Sequence, residues 1–177
     1  MQDVIYDVAV SVDGFICGAD GDVSGFPHEG AVVEEYRARL ATYGAVVMGR
    51  RTYEFGYACG LKPGANPYPH MQALVVSASL DLPADAAVET VRDDVIARLT
   101  RLRREMHAPI YLCGGGALAG SLLVQGQIQE LRLKRAPILL GSGVRLFGGH
   151  DRPVPMHPLA QTIHERGVIY QRFKLLT

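Results

Sequence analysis

Ile110-Tyr111-Leu112-Cys113-Gly114-Gly115-Gly116-Ala117-Leu118 runs an apolar, strand-length stretch into three glycines and then into a helix-compatible segment, Ala117 to Leu123. A strand, a glycine turn and a helix start together make an anion site. The first N–H groups of a helix have no intrahelical partner, and glycine lets a phosphate come close to the main chain. The same three glycines serve equally as a tight βα turn that needs positive φ. If the chain binds a nucleotide, its pyrophosphate belongs here.

Working outward, a second junction of this kind lies about 65 residues earlier. Ala45 to Met48 reads as a short buried strand, and Gly49-Arg50-Arg51-Thr52 opens a helix that runs to about Gly56. Arginine in a first turn opposes the helix dipole, which suits an anion bound alongside; the alternative is a surface ion pair with Glu54. Between the two junctions, the strand Ala73 to Val76 ends at Ser77-Ala78-Ser79. Three such strand ends, adjacent at the carboxyl edge of a parallel sheet, would converge on one extended phosphate-bearing ligand.

The remaining pattern is α/β. Val4 to Ser11 reads as a nearly continuous apolar first strand, followed by a long loop through Asp13-Gly14, Gly18 to Asp22 and Ser24-Gly25 to Pro27. Glu29 to Tyr43 is helical, with Val33, Tyr36 and Leu40 on one side and Glu35 four residues before Arg39, a spacing that favours a surface ion pair. A short strand near Val88 and a helix from Asp93 to His107 follow, the helix carrying a stripe of Val95, Leu99, Leu102 and Met106. Gln129 to Pro137 alternates, Leu131 and Leu133 against Arg132 and Lys134, as a strand with one wetter face would. Leu159 to Arg166 and Val168 to Leu175 flank Arg166-Gly167 as a terminal hairpin. The expected fold is a single domain over residues 1–177. It has three layers: a central, mostly parallel mixed sheet with an antiparallel C-terminal hairpin, and helices on both faces.

Several function classes fall away. A net charge of +0 gives no electrostatic capture of nucleic acid or of a membrane, and no apolar run is long enough to span a bilayer. Cys17, Cys59 and Cys113 are too few and too scattered for a disulfide framework or a metal knuckle, which points to a reducing cytoplasm. Six histidines form no ligand pair, so no metal site is expected, and Asp20-Gly21-Asp22 lacks the downstream acid of a calcium loop. Gly114, Gly116 and Ala119 satisfy G-x-G-x-x-A, but late in the chain and without the acidic residue of a Rossmann fold about 20 residues on. No P-loop and no G-x-S-x-G elbow is present.

Ser11-Val12-Asp13-Gly14-Phe15-Ile16, Val47-Met48-Gly49-Arg50-Arg51-Thr52-Tyr53-Glu54 and Leu112-Cys113-Gly114-Gly115-Gly116 stand in the order seen in dihydrofolate reductase-like proteins. Pro137 to Phe147, PILLGSGVRLF, narrows the resemblance. The chain resembles the bacterial branch related to the reductase domain of the bifunctional riboflavin-biosynthesis deaminase-reductase, over nearly its whole length. The resemblance implies a dihydrofolate reductase-like fold and a reduced nicotinamide cofactor, NADPH, along the sheet edge. By position, Gly49, Arg50, Arg51 and Thr52 would hold phosphates, with Arg50 near the adenosine 2′-phosphate. Ser77 and Ala78 would flank the adenine ribose. Gly115, Gly116, Ala117 and Leu118 would cap the pyrophosphate, with Cys113 before them in the cofactor set. Ala9 and Ile16 would face the nicotinamide. The related reductases also imply a homodimer.

The substrate side departs from the family. Folate reductases place a carboxylate on the first helix, and the ungapped count back from Met48 falls on Val33; Glu34 and Glu35 are turned about 100° and 200° away. Phe26 stands about where folate reductases often carry tryptophan, and no deaminase zinc motif accompanies the domain. Asp13 is the better candidate for a site acid and Glu35 the other. Arg132, Lys134 and Arg135 would meet an anionic substrate or solvate a sheet edge. Two readings follow: an NADPH-dependent reductase of a small pterin-like or riboflavin-precursor-like heterocycle, akin to 5-amino-6-(5-phosphoribosylamino)uracil reductase, or a nucleotide- or pterin-binding protein without turnover.

Overall fold

A computed structural model describes residues 1–176. Its apolar runs become the strands β1 (Val4–Val10), β3 (Ala45–Gly49), β4 (Gln72–Val76) and β6 (Ile110–Gly114), and β5 (Glu89–Val91) is the short strand after Val88. Between them lie α1 (Ala31–Leu40), α2 (Arg50–Ala58), α3 (Val95–Glu105) and α4 (Gly116–Val124). The chain then turns β-rich, with β7 (Glu130–Arg135), β9 (Met156–Ile163) and β10 (Ile169–Leu175). One eight-stranded sheet results, in the order β5-β4-β3-β6-β1-β7-β10-β9. Every pairing from β5 to β7 is parallel, and the hairpin adds β10 and β9 antiparallel.

Alternation along the strands divides the core into two layers. Val4, Tyr6, Val47, Leu74 and Leu112 pack against Leu99 and Leu102 of α3 and against Ala119 and Leu122 of α4. Ile5, Val46, Met48, Val75 and Tyr111 pack instead against Tyr53 of α2, with Tyr36 and Leu40 of α1 beside them. The stripe read on α3 is therefore core: Leu99 and Leu102 are fully buried, each stabilising the fold by roughly 1.5–3 kcal/mol through its removal from water.

Two features depart from the sequence reading. The loop after β1 contains a short strand, β2 (Phe15–Cys17), which pairs antiparallel with β8 (Val144–Arg145). Strands of three and two residues are too short for a periodicity to reveal them. The second departure is β7, which lies between β1 and β10 rather than at an edge. Its polar side is no wet face: the Arg132 and Lys134 side chains are only 14% and 13% exposed.

Candidate active site

The three strand ends singled out by pattern are neighbours, since β4, β3 and β6 are consecutive in the sheet. A Cβ placed on Gly49 would lie 3.9 Å from the Gly114 carbonyl oxygen, the Gly115 nitrogen and the Leu118 Cβ. One on Gly115 would lie 3.3 Å from Thr52 Oγ1. The junctions β3–α2 and β6–α4 therefore touch. Both helices are nine residues long, with Gly49 and Gly115 as N-caps, no side-chain cap and no acidic residue in the first turn. Their leading N–H groups are free to meet an anion, so the residues present fit a diphosphate.

The glycines of the opening stretch have different tasks. Gly114 adopts φ +117°, and the Gly114–Gly115 peptide is cis. Gly116 is buried, and any side chain there would run into the Arg145 carbonyl oxygen, as one on Gly120 would into that of Phe147. These two glycines let the 145–148 segment lie directly on α4. Ala117 is exposed and Leu118 half-buried beside them.

Arg50 donates from Nε to Glu54 Oε1 at 2.7 Å and from Nη1 to Ser79 Oγ at 3.0 Å, bridging α2 to the loop after β4; Arg51 is exposed. Ser77 Oγ accepts the N–H groups of Ser79 and Leu80 at 3.2 and 3.0 Å. Arg92 holds the Ala78 and Leu80 carbonyls, so this loop is shaped without any bound partner. The ion pair with Glu54 and an anion-facing position for Arg50 are compatible: both side chains are substantially exposed, and such a pair contributes only about 0–1 kcal/mol.

Asp13 follows β1 as its position in the sequence implied, whereas Glu35 has a different partner from the one expected. Asp13 accepts the Ser11 hydroxyl at 2.6 Å and the N–H groups of Gly141 and Leu140 at 2.7 and 3.1 Å. These bonds, Ser11 first, draw its pKa down to about 2. Asp13 thus ties the turn after β1 to the 140–141 segment as a carboxylate and holds no proton to donate near neutrality. Glu35 does not pair with Arg39. Its exposed carboxylate lies 3.5 Å from His164 Nε2, while Arg39 turns inward to Asp7.

Asp7 is the residue that the sequence reading passed over. It is 1% exposed on β1, on the same side of the strand as Ala9, half-buried two residues on. Its carboxylate accepts Lys134 Nζ at 2.7 Å, Arg39 Nε at 2.9 Å and the Tyr43 hydroxyl at 3.3 Å. Burial pushes the Asp7 carboxyl up, but Lys134 and Arg39 together outweigh it and hold the pKa below the ordinary value. Lys134 Nζ lies 3.6 Å from the centroid of the Tyr36 ring, and the Arg39 guanidinium 4.4 Å from that of Tyr170. Arg132 and Arg172 share Glu130 next to this group at 2.7 and 2.6 Å. Asp7 thus balances Arg39 and Lys134 beside α1, and Glu130 balances Arg132 and the more exposed Arg172 next to them. The signal that could have found it is an aspartate inside VIYDVAV, since an unpaired buried carboxylate is prohibitively costly.

Cys113 lies on the Tyr111 side of β6, its Sγ 3.7 Å from the Tyr68 hydroxyl. Burial raises its pKa, so it stays a thiol. The Tyr36 and Tyr111 hydroxyls are 2.6 Å apart, and Tyr43 stacks on Tyr111. Ile16 is half-buried on β2. Among the described residues no group of three or more His, Cys, Asp or Glu side chains is set to hold a metal ion, and no helix is long and apolar enough to cross a membrane. A cavity of about 470 Å³ lies elsewhere, between α4 and residues 147–152.

Comparison with known proteins gives this geometry a context. The family model for the RibD C-terminal domain matches residues 2–165. The uncharacterized protein YwjB of Bacillus subtilis (strain 168) is 32% identical over 145 residues, 81% of this chain and 81% of the relative. A protein of Shewanella sp. PV-4 with a provisional riboflavin-biosynthesis name superimposes over 100% of both chains, with a TM-score of 0.83 at 21% identity. Dihydrofolate reductase from Enterococcus faecalis, solved with NADP(H) and RAB-propyl, superimposes over 99% of this chain and 97% of its own, with a TM-score of 0.68 at 16% identity. The three-layer sheet described above is therefore a dihydrofolate reductase-like fold.

Proposed function

Because the chain belongs to the RibD C-terminal domain family, a reductase-type family, we propose that it is an NADPH-dependent reductase of a small heterocyclic substrate, pterin-like or riboflavin-precursor-like. The observation that carries the reading is the meeting of three adjacent strand ends with two uncapped helix N-termini. The reduced nicotinamide, when bound, supplies the hydride. Gly49, Arg50, Arg51 and Thr52 hold phosphates, and Arg50 exchanges its exposed contacts with Glu54 and Ser79 for the 2′-phosphate. Ser77 and Ala78 flank the adenine ribose, and Cys113, Gly115, Gly116, Ala117 and Leu118 line the pyrophosphate. Ala9 and Ile16 face the nicotinamide, which sets the substrate against the polar face built on Asp7 and Lys134.

Two further features belong to the same reading. Cys17, Cys59 and Cys113 are free thiols, in keeping with a cytoplasmic setting. The outermost strand, β9, is exposed along its whole length, carries no Asp, Glu, Lys or Arg, and presents Met156, Leu159 and Ile163. Such an open edge invites strand pairing with a second copy and favours a homodimer.

Titration of NADPH fluorescence with the purified protein, followed by a screen for loss of NADPH absorbance, tests the function. Saturable binding and oxidation by a pterin or a flavin precursor is the expected result. Binding without oxidation across pterins, flavin precursors and quinones assigns a nucleotide-binding protein without turnover. Absence of NADPH binding overturns the reading.

A further inference from the structure

We propose that Lys134 delivers the proton that completes the reduction, donating from Nζ to the heteroatom of the substrate bond whose carbon receives the hydride; this rests on the cofactor placement above. Ala9 and Lys134 are register partners across β1 and β7, so their side chains stand side by side on one face of the sheet. An ammonium has three N–H donors. Among the described residues, that of Lys134 has one hydrogen-bond partner, Asp7 Oδ1, and lies over the Tyr36 ring. Two of its three N–H donors are therefore without a protein acceptor, on the same face of the sheet as Ala9.

The arrangement around Lys134 also tolerates loss of its proton. Asp7 keeps Arg39 and the Tyr43 hydroxyl when Lys134 becomes neutral, so no buried carboxylate is left unpaired. The groups around Asp7 and Lys134 come from every surrounding element: Tyr36 and Arg39 of α1, Tyr43 after it, Cys113 and Tyr111 of β6, Arg132 of β7, Tyr170 of β10, and Tyr68. Burial raises the pKa of each of these tyrosines and of Cys113, so none of them is moved toward neutrality. The Lys134 ammonium moves the other way: burial lowers its pKa, Arg39 adds to the effect, and Asp7 only partly opposes it. A buried lysine on a shared carboxylate does the work that folate reductases give to a carboxylic acid on the first helix, which Val33 leaves vacant here.

The hydride adds to the carbon of a polarised C=O or C=N bond, the π pair moves to the heteroatom, and that atom takes a proton from Nζ. Lys134 is left as a neutral amine and regains its proton from water. The substrate class is a small molecule with a polarised C=O or C=N acceptor at the reducible position.

Lys62, Lys134 and Lys174 are the three lysines of the chain, so each can be followed by nitrogen-15 NMR of the side chains, with Lys134→Met giving the assignment. Lys134 is expected to titrate below the other two; titration together with them overturns the proposal. With a substrate that the wild type reduces, Lys134→Met is expected to lower kcat about 10²-fold or more at undiminished NADPH affinity. Lys134→Arg keeps the charge and the ion pair but is expected to stay slow, and the fall of wild-type kcat at high pH is expected to vanish in Lys134→Met. A Lys134→Arg variant as fast as wild type, or a Lys134→Met variant with the wild-type pH profile, overturns the role of Lys134 and leaves the cofactor reading standing. A wild-type protein that fails to bind NADPH overturns both.

Discussion

Replacing Asp7 by asparagine tests whether the buried charge cluster is organised as described. The carboxylate is inaccessible and serves two cations, the Arg39 and Lys134 side chains, which are 16% and 13% exposed. Removing the one anion leaves both cations facing a neutral amide, and breaking a buried pair in this way costs about 3–5 kcal/mol. Arg39 keeps its contact with Tyr170 and Lys134 its contact with Tyr36, which places the loss near 3 kcal/mol. For a chain of this size that is a fall in Tm of about 6–12 °C. Removing Lys134 instead leaves Asp7 balanced by Arg39. The charge-assisted hydrogen bond that is lost contributes roughly 1.5–3 kcal/mol, and release of the buried ammonium offsets part of it, so Lys134→Met should cost under about 2 kcal/mol. The double variant should then lose less than the sum of the two, by about 1 kcal/mol or more. Urea unfolding of the four proteins measures all three quantities. A Lys134→Met loss equal to that of Asp7→Asn, or strict additivity, would refute the picture of one carboxylate shared by two cations.

Further outcomes follow from the same geometry. Arg50→Ala should weaken NADPH binding far more than NADH binding in fluorescence titrations; equal losses would show that Arg50 does not read the 2′-phosphate. Gly116→Ala should destabilise the fold by roughly 1–3 kcal/mol, because the obstructing atom is the Arg145 backbone carbonyl, whereas Gly149→Ala, with open space around it, should be close to neutral in the same unfolding assay. The folded-state pKa of Asp13 lies below its unfolded value, so its contribution is present above the ordinary carboxylate range and is lost as pH falls from about 4 to about 2. The stability gap between wild type and Asp13→Asn should accordingly close over that interval, and a gap independent of pH would contradict the tie to Gly141 and Leu140. Sedimentation should show a dimer that Leu159→Lys, on the exposed edge strand, converts to monomer; a wild-type monomer would dismiss β9 as an interface.

The meeting of the β4, β3 and β6 ends was more legible in the sequence than the polar cluster, and the reason is range. Strand, glycine and helix start are contiguous at Gly49 and Gly115, so each junction is written in a few adjacent residues, and parallel strands bring their carboxyl ends together. The partners of Asp7 lie 32 and 127 residues away, at Arg39 and Lys134, where no local pattern can connect them. Alternation in β7 separated Leu131 and Leu133 from Arg132 and Lys134 correctly, but a period of two does not say what covers a face, and here it is α1. Arg39 had a local partner in Glu35 and does not use it. Glu35 is exposed and offers a weak, water-screened pair, whereas Asp7 is a buried anion that requires neutralising. Gly114, Gly115 and Gly116 look alike in sequence, yet one takes a positive φ, one caps a helix and one makes room for a neighbouring backbone.

The proposed cofactor position, a reduced nicotinamide dinucleotide across the ends of β4, β3 and β6, can be read residue by residue. Mapping backbone amide shifts while NADPH is titrated into nitrogen-15-labelled protein tests it most directly. Saturable shifts are expected at Gly49 to Thr52, at Ser77 to Ser79 and at Gly115 to Leu118, joined by Ala9 on β1. Saturable shifts confined to the cavity along residues 147–152, or none at all, would contradict it.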